Sequence, residues 1–198
     1  MIDKKEVILL QEMVSSSGDQ HAFMRLYRLY FSSLLQFAVS FLRSRPVSEE
    51  IVSDVFLHLW QKRASLGSIH NLTVYLYTCI RNHCLNHLAK QKREHIYWFD
   101  EESFSIPSEG LDPEQLFITL ELAKEIDAVV RRLPPKCRMI FKLIREDGLK
   151  YREAAKVLDI SVKTVEAQMG IAVKRIHEAI RPDIKAYAEP FRFRSSGR

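Results

Sequence analysis

The 198-residue chain is poor in several things, and each shortage excludes something. It has 3 Cys and no CxxC pair, which suits a reducing cytoplasm and argues against a disulfide framework. No apolar run approaches the roughly 18 residues that a membrane helix needs. The longest candidate, Phe23 to Leu42, is interrupted by Arg25, Arg28, Ser32, Ser33, Gln36 and Ser40. The first residues, MIDKKEVILLQEM, hold only a short apolar block, less than a signal peptide requires. Paired carboxylates, a phosphate-binding glycine loop and a nucleophile motif are all missing, so nothing here speaks for an enzyme, a cofactor or a small-molecule substrate. There is no repeat at a fixed period. With only 6 Gly and 46% hydrophobic residues, the composition is that of a soluble globular protein, and with the cysteine usage it points to the cytoplasm.

Charge is also missing, locally and by sign. Residues 94–115 contain no Lys or Arg against 7 Asp/Glu. On either side the balance reverses: residues 1–93 carry 12 Lys/Arg against 7 Asp/Glu, and residues 131–198 carry 17 against 8. Two basic blocks joined by an acidic stretch containing Pro and Gly predict two domains and a linker. Basic surfaces suit a polyanionic partner.

The first block has helical periodicity throughout. Asp3 to Ser15 reads as a short helix closed by SSSG. Asp19 is the expected N-cap of a long helix carrying Phe23, Leu26, Tyr27, Tyr30, Leu34, Phe37, Ala38 and Phe41 on one side. RSRP ends it, and Pro46 and Ser48 open another with Ile51, Val52, Val55, Phe56, Leu59 and Trp60 as its apolar face. After the loop KRASLGSIH, Asn71 caps a helix to about Arg93. Its buried stripe is Leu72, Leu76, Ile80, Cys84 and Leu88, and it contains no acid. Arg81, Asn82, Asn86, Lys90, Lys92 and Arg93 with the aromatic Tyr75 and Tyr77 suit single-stranded DNA, although aromatics at helical spacing also suit a core. Cys79, His83 and His87 recur at helical spacing, but one straight helix cannot surround a metal ion, so no metal site is expected.

In the second block, Asp112 and Pro113 start a helix that runs to Leu133. Pro135 restarts one through Arg145, and Gly148 stops it. Then comes YREAAKVLDISVKTVEAQMGIAVKRI. Ala154, Ala155 and Leu158 form a packing face, DIS turns with Ile160 inward, and Ser161 caps a helix with Val162, Val165, Met169, Ala172, Val173 and Ile176 inside. That is a helix-turn-helix pattern, whose second helix presents Lys163, Thr164, Glu166, Ala167 and Gln168 to a major groove. The fold expected is all-α: two small helical domains joined by an acidic flexible linker.

Over about residues 5–180 the chain resembles the sigma-70 family of RNA polymerase sigma factors, in its compact extracytoplasmic-function (ECF) group. AFMRLYRLYFSSLLQFA is similar to the start of that family's region 2, SEEIVSDVFLHLW to its polymerase-clamp helix, and YLYTCIRNHCLNHLAKQKR to its promoter-melting helix. LPPKCRMIFKLIREDGLKYREAAKVLDISVKTVEAQMGIAVKRI resembles region 4. The resemblance implies domains at 1–93 and 112–180, an acidic linker at 94–111 and a basic tail at 181–198. It implies core RNA polymerase as a partner through Glu50, Ser53, Asp54 and Leu57. Promoter −10 DNA falls to Ser68, Asn71, Arg81, Asn82, Asn86, Lys90 and Arg93, and −35 DNA to Ser161, Lys163, Thr164, Glu166, Ala167 and Gln168. An anti-sigma factor, often membrane-bound, is a further implied partner. Fully extended, the 18 residues of the linker span roughly 60 Å, enough for the two domains to sit apart on one promoter.

The pattern departs from the family at Ser53, usually Gln; at Asp159, usually Gly; and at Ala167 and Ile171, often polar or basic. Gly170 within a helix costs about 1 kcal/mol against Ala. The helix-turn-helix alone would equally suit a free-standing LuxR-like regulator, which leaves SEEIVSDVFLHLW without a purpose.

Overall fold

The computed structural model describes residues 3–91 and 126–179. The linker at 94–111, most of the helix expected from Asp112, Arg93 and the tail at 181–198 lie outside the described residues. Among those described there is no strand. The helices are α1 Lys4–Ser17, α2 Gln20–Leu42, α3 Arg45–Gln61, a 3-10 turn Arg63–Ser68, α4 Leu72–Gln91, α5 Pro135–Arg145, α6 Tyr151–Leu158 and α7 Val162–Ala179. Residues 126–131 are helical as well.

Local chemistry sets most of these boundaries. The Asp19 carboxylate accepts from the His21 and Ala22 N–H groups at 2.8 and 3.0 Å, which satisfies donors that a helix start leaves open. Asn71 Oδ1 does the same for Val74 N–H at 3.1 Å. Pro46 sits in the first turn of α3, where its missing N–H costs nothing. Gly148 adopts φ 71°, and Leu149 N–H returns to the Leu143 carbonyl at 2.9 Å, closing α5.

The first helix differs from the sequence expectation at its C-terminal end. The first helix absorbs its serines and runs to Ser17, because Ser16 and Ser17 donate back to the carbonyls of Glu12 and Met13 at 2.7 and 2.8 Å. It stops at Gly18 (φ 67°) instead.

Helices α1 to α4 form the first unit and residues 126–179 the second. α2 lies at the centre of the first, packed on α1, α3 and α4. Its buried side is Ala22, Leu26, Tyr30, Leu34, Leu35, Phe37 and Ala38. Phe23 meets Trp60 at 5.0 Å, Tyr27 meets Phe56 at 4.9 Å, and Arg63 lies over the Trp60 ring at 4.8 Å. In the second unit α7 packs on α5 and α6. The two units touch: α4 lies on α6 and α2 reaches α5. Their buried residues form one continuous apolar cluster.

Candidate nucleic-acid and protein interfaces

α3 divides cleanly. Ile51, Val52, Val55, Phe56 and Leu59 are buried, while Glu50, Ser53, Asp54 and Leu57 are exposed. The exposed four fall at i, i+3, i+4 and i+7, so they share one face. Leu57 is 57% exposed beside two carboxylates, an apolar contact with a polar rim, as protein interfaces are built.

The 62–70 segment is more ordered than a plain loop. Gln11 on α1 is buried among Val7, Leu10 and Val14, and its Nε2 donates to the Leu66 and Ile69 carbonyls at 3.1 and 3.0 Å. Leu66 is fully buried. A Cβ on Gly67 would come within 2.9 Å of Ser15 Oγ, so the turn lies closer to α1 than other residues allow. Ser68 is exposed on this fixed turn. Gln11 was not among the expected site residues. The signal was a lone amide in the apolar stripe of an amphipathic helix. Gln11→Leu should remove both donors and lower stability by about 1–3 kcal/mol. Urea denaturation measures this, and faster amide exchange at Ile69 should accompany it.

On α4 the expected DNA residues separate into two groups. Asn82, Asn86 and Lys90 are exposed at i, i+4 and i+8 and make one stripe. Asn71 and Arg81 are half-buried and face the second unit. Tyr75 is 37% exposed, whereas Tyr77 is fully buried against Phe37 at 4.9 Å. Tyr77 is therefore core, and only Tyr75 is placed to stack on a base. Cys79 is half-buried, and burial pushes its thiol up, with the Tyr75 hydroxyl pulling it down. Among the described residues no group of three or more His, Cys, Asp or Glu could hold a metal ion.

The helix-turn-helix forms as its pattern predicts. α6 ends at Asp159 in the left-handed region (φ 55°), which a short polar side chain tolerates in place of glycine. Ile160 is half-buried against the core. Ser161 Oγ accepts from Thr164 N–H at 3.0 Å, so its hydroxyl is engaged as a cap. Val165, Met169, Ala172 and Ile176 are buried. Lys163, Glu166 and Ala167 are exposed, with Thr164 and Gln168 half-buried beside them. Cys137 Sγ donates to the Gln168 carbonyl at 3.2 Å and ties α7 to α5.

Asp147, between Gly148 and α5, lies near Tyr77 and Ser33 of the first unit, although the buried Tyr77 hydroxyl is not within hydrogen-bonding geometry of any described group. Burial raises its carboxyl above the ordinary 3.8, while the Tyr77 and Ser33 hydroxyls and Lys142 pull it down. A raised carboxyl pKa means the folded chain binds the proton better than the unfolded one, so Asp147's contribution to stability falls as pH rises from 3.8 through the raised value. Asp147→Asn should flatten that part of the pH–stability curve, relative to wild type, in melts at a series of acidic pH values. An unchanged curve would remove the assignment.

Comparison with known proteins gives matches in both basic blocks. A family model described as Sigma-70 region 2 matches residues 26–94, and one described as Sigma-70, region 4 matches residues 123–176. The ECF RNA polymerase sigma factor SigW of Bacillus subtilis (strain 168) is 25% identical over 177 residues, 85% of this chain and 91% of its own. The ECF RNA polymerase sigma-E factor of Escherichia coli (strain K12) is 27% identical over 175 residues, again 85% and 91%. Two solved structures share the fold. The sigma factor RpoE in complex with the anti-sigma factor NepR, from Bartonella quintana, has TM-score 0.57 and 22% identity, covering 81% of this chain and 98% of its own. CnrH in complex with the cytosolic domain of CnrY has TM-score 0.50 and 23% identity, covering 87% and 96%.

An all-α protein with a helix-turn-helix in its second unit and an acidic, leucine-bearing helix face in its first is a helical transcription factor. The chain belongs to the sigma-70 family, in its ECF group. A sigma factor binds core RNA polymerase and directs transcription initiation at promoter DNA. Among the described residues no helix is long and apolar enough to cross a membrane.

Proposed function

We propose that the first unit, residues 1–93, docks on core RNA polymerase through Glu50, Ser53, Asp54 and Leu57 and takes the −10 element. The second, residues 112–180, reads the −35 element. The observation that carries this is the exposed face of α3, where Glu50 and Asp54 lie two turns and one turn before an uncovered leucine in the segment that resembles the clamp helix. The clamp-facing helix brings the polymerase to a turn fixed by Gln11 and to the stripe Asn82, Asn86 and Lys90. A base drawn from the duplex at the −10 element would meet Ser68 on that turn, with Tyr75 available for stacking. Unstacking costs a few kcal/mol, so a turn already held in place saves the ordering cost at that step.

At the −35 element Lys163 and Thr164 are placed for phosphates and Glu166 and Gln168 for base edges, cytosine and adenine respectively. Ala167 offers a methyl to thymine. The linker at 94–111 spans the two sites, and Arg93 extends the basic run of α4. The protein supplies specificity and has no catalysis of its own. It works in the cytoplasm, where core polymerase is, and a regulator of the anti-sigma kind named in the Bartonella quintana complex is a fitting partner.

Run-off transcription from genomic fragments with core polymerase, with and without this chain, tests the reading. New transcripts that require both components support it. A protein that footprints a palindrome alone and leaves core polymerase unbound would be a free-standing regulator instead.

A further inference from the structure

α7 buries Val165, Met169, Ala172 and Ile176, and the opposite side of the helix carries a run of a different character. Lys163, Ala167, Gly170 and Lys174 are all exposed and fall at i, i+4, i+7 and i+11, one stripe along the helix. Ile171 stands beside that stripe, one turn after Ala167, and is 42% exposed. Lys174 follows Lys163 by eleven residues, roughly 16 Å along the axis. Two cations therefore bracket two turns whose outermost surface is apolar. Lys174 is paired with Glu178 at 3.9 Å, but both ends are exposed, so a phosphate can replace that carboxylate at little cost.

Among the described residues nothing calls for this run. Gly170 keeps ordinary helical backbone, unlike Gly18 and Gly148, whose φ is positive. A Cβ on Gly170 would meet no neighbouring group within 4 Å, so alanine would fit. Glycine inside a helix weakens it relative to alanine, and an isoleucine facing water forgoes its burial. Two adjacent residues that break local rules without a packing reason mark a functional surface. The surface continues the face on which Glu166 and Gln168 are proposed to meet base edges. In a major groove, the apolar group that a base edge presents is the 5-methyl of thymine.

We propose that Ile171 determines specificity at the −35 element by packing on the 5-methyl group of a thymine. The bare Gly170 lets α7 come close enough for that contact, and Lys163 and Lys174 hold phosphates at its two ends. This deepens the proposed −35 reading by the second unit and rests on it. The contact carries no hydrogen bond, so it reads the methyl itself and not the rest of the base edge.

The test uses holoenzyme, the full chain with core polymerase, on the strongest promoter that run-off transcription returns. Each thymine of the −35 region is replaced in turn by deoxyuridine, which removes one methyl and keeps every hydrogen-bonding group. One replacement should weaken binding about fourfold, the scale of one buried methyl-sized group. Ile171→Ala should bind the thymine duplex at least as weakly and no longer distinguish thymine from deoxyuridine at that position. A merely structural role for Ile171 would lower both affinities and leave their ratio unchanged. Gly170→Ala should melt at a higher temperature than wild type and yet bind the promoter more weakly.

Deoxyuridine that weakens binding at no position overturns the inference, as does a thymine preference that survives Ile171→Ala. Loss of core-polymerase binding by Ile171→Ala without DNA would make this face a protein contact instead. A Gly170→Ala holoenzyme that binds as tightly as wild type would rule out the close approach. Failure of the −35 reading itself looks different: exchanging the whole −35 region for an unrelated sequence would leave promoter binding unmoved, and the inference would fall with it.

Discussion

Glu50→Arg combined with Asp54→Arg should reduce binding to core RNA polymerase by about a hundredfold, with run-off transcription lost in step. Truncating one partner of a close charge pair at an interface costs about 2–5 kcal/mol. Reversal adds repulsion to that loss, so even the low end gives a factor of about 30. Both side chains are exposed on α3 and the buried face of that helix is untouched, so stability should move by less than about 1 kcal/mol in total. The effect then appears in binding and not in folding. Fluorescence anisotropy of the labelled protein titrated with core polymerase measures it directly. Leu57→Ala offers a charge-neutral control on the same face. A double variant that binds core polymerase as tightly as wild type would remove α3 as the docking helix.

Leu76→Ala should lower unfolding stability by about 2–5 kcal/mol, the range for emptying a leucine site in a packed core. Leu76 is fully buried on α4, the helix that packs on α2 and α3 in the first unit and on α6 in the second. The buried residues of the two units belong to one cluster, so wild type and variant should each unfold in a single transition by circular dichroism and by fluorescence. Two separate steps, with the helix-turn-helix surviving the first, would mean that the shared core does not couple the units.

Much of this architecture was legible from the chain because it is local. Caps such as Asp19, Asn71 and Ser161 act within three residues, and the apolar stripes of α2, α3 and α7 repeat at threes and fours. The exposed face of α3, which is proposed to dock, follows from the same arithmetic: it is what remains of a helix after its buried side is assigned. What escaped notice depends on distant partners. Gln11 is an ordinary polar residue until the carbonyls of Leu66 and Ile69 arrive, 55 and 58 positions later. The Asn71–Glu153 contact joins residues 82 apart, and no periodicity connects two helices across such a separation. Tyr77 was ambiguous for a related reason. A tyrosine fits a core and a base-stacking surface equally well by spacing, and only the presence of Phe37 and the second unit places it inside.

The stack of Arg63 on Trp60 makes the turn proposed to meet the −10 element optically visible. The chain has two tryptophans, Trp60 and Trp98, so replacing Trp98 leaves a single indole whose face is covered by a cation at 4.8 Å and whose other neighbour is Phe23 at 5.0 Å. Arg63 opens the turn that Gln11 holds, so any strand that draws this guanidinium toward its phosphates uncovers the ring. With the −10 strand at this turn as proposed, the emission of Trp60 should change on promoter capture, and stopped-flow fluorescence reads that change without a label.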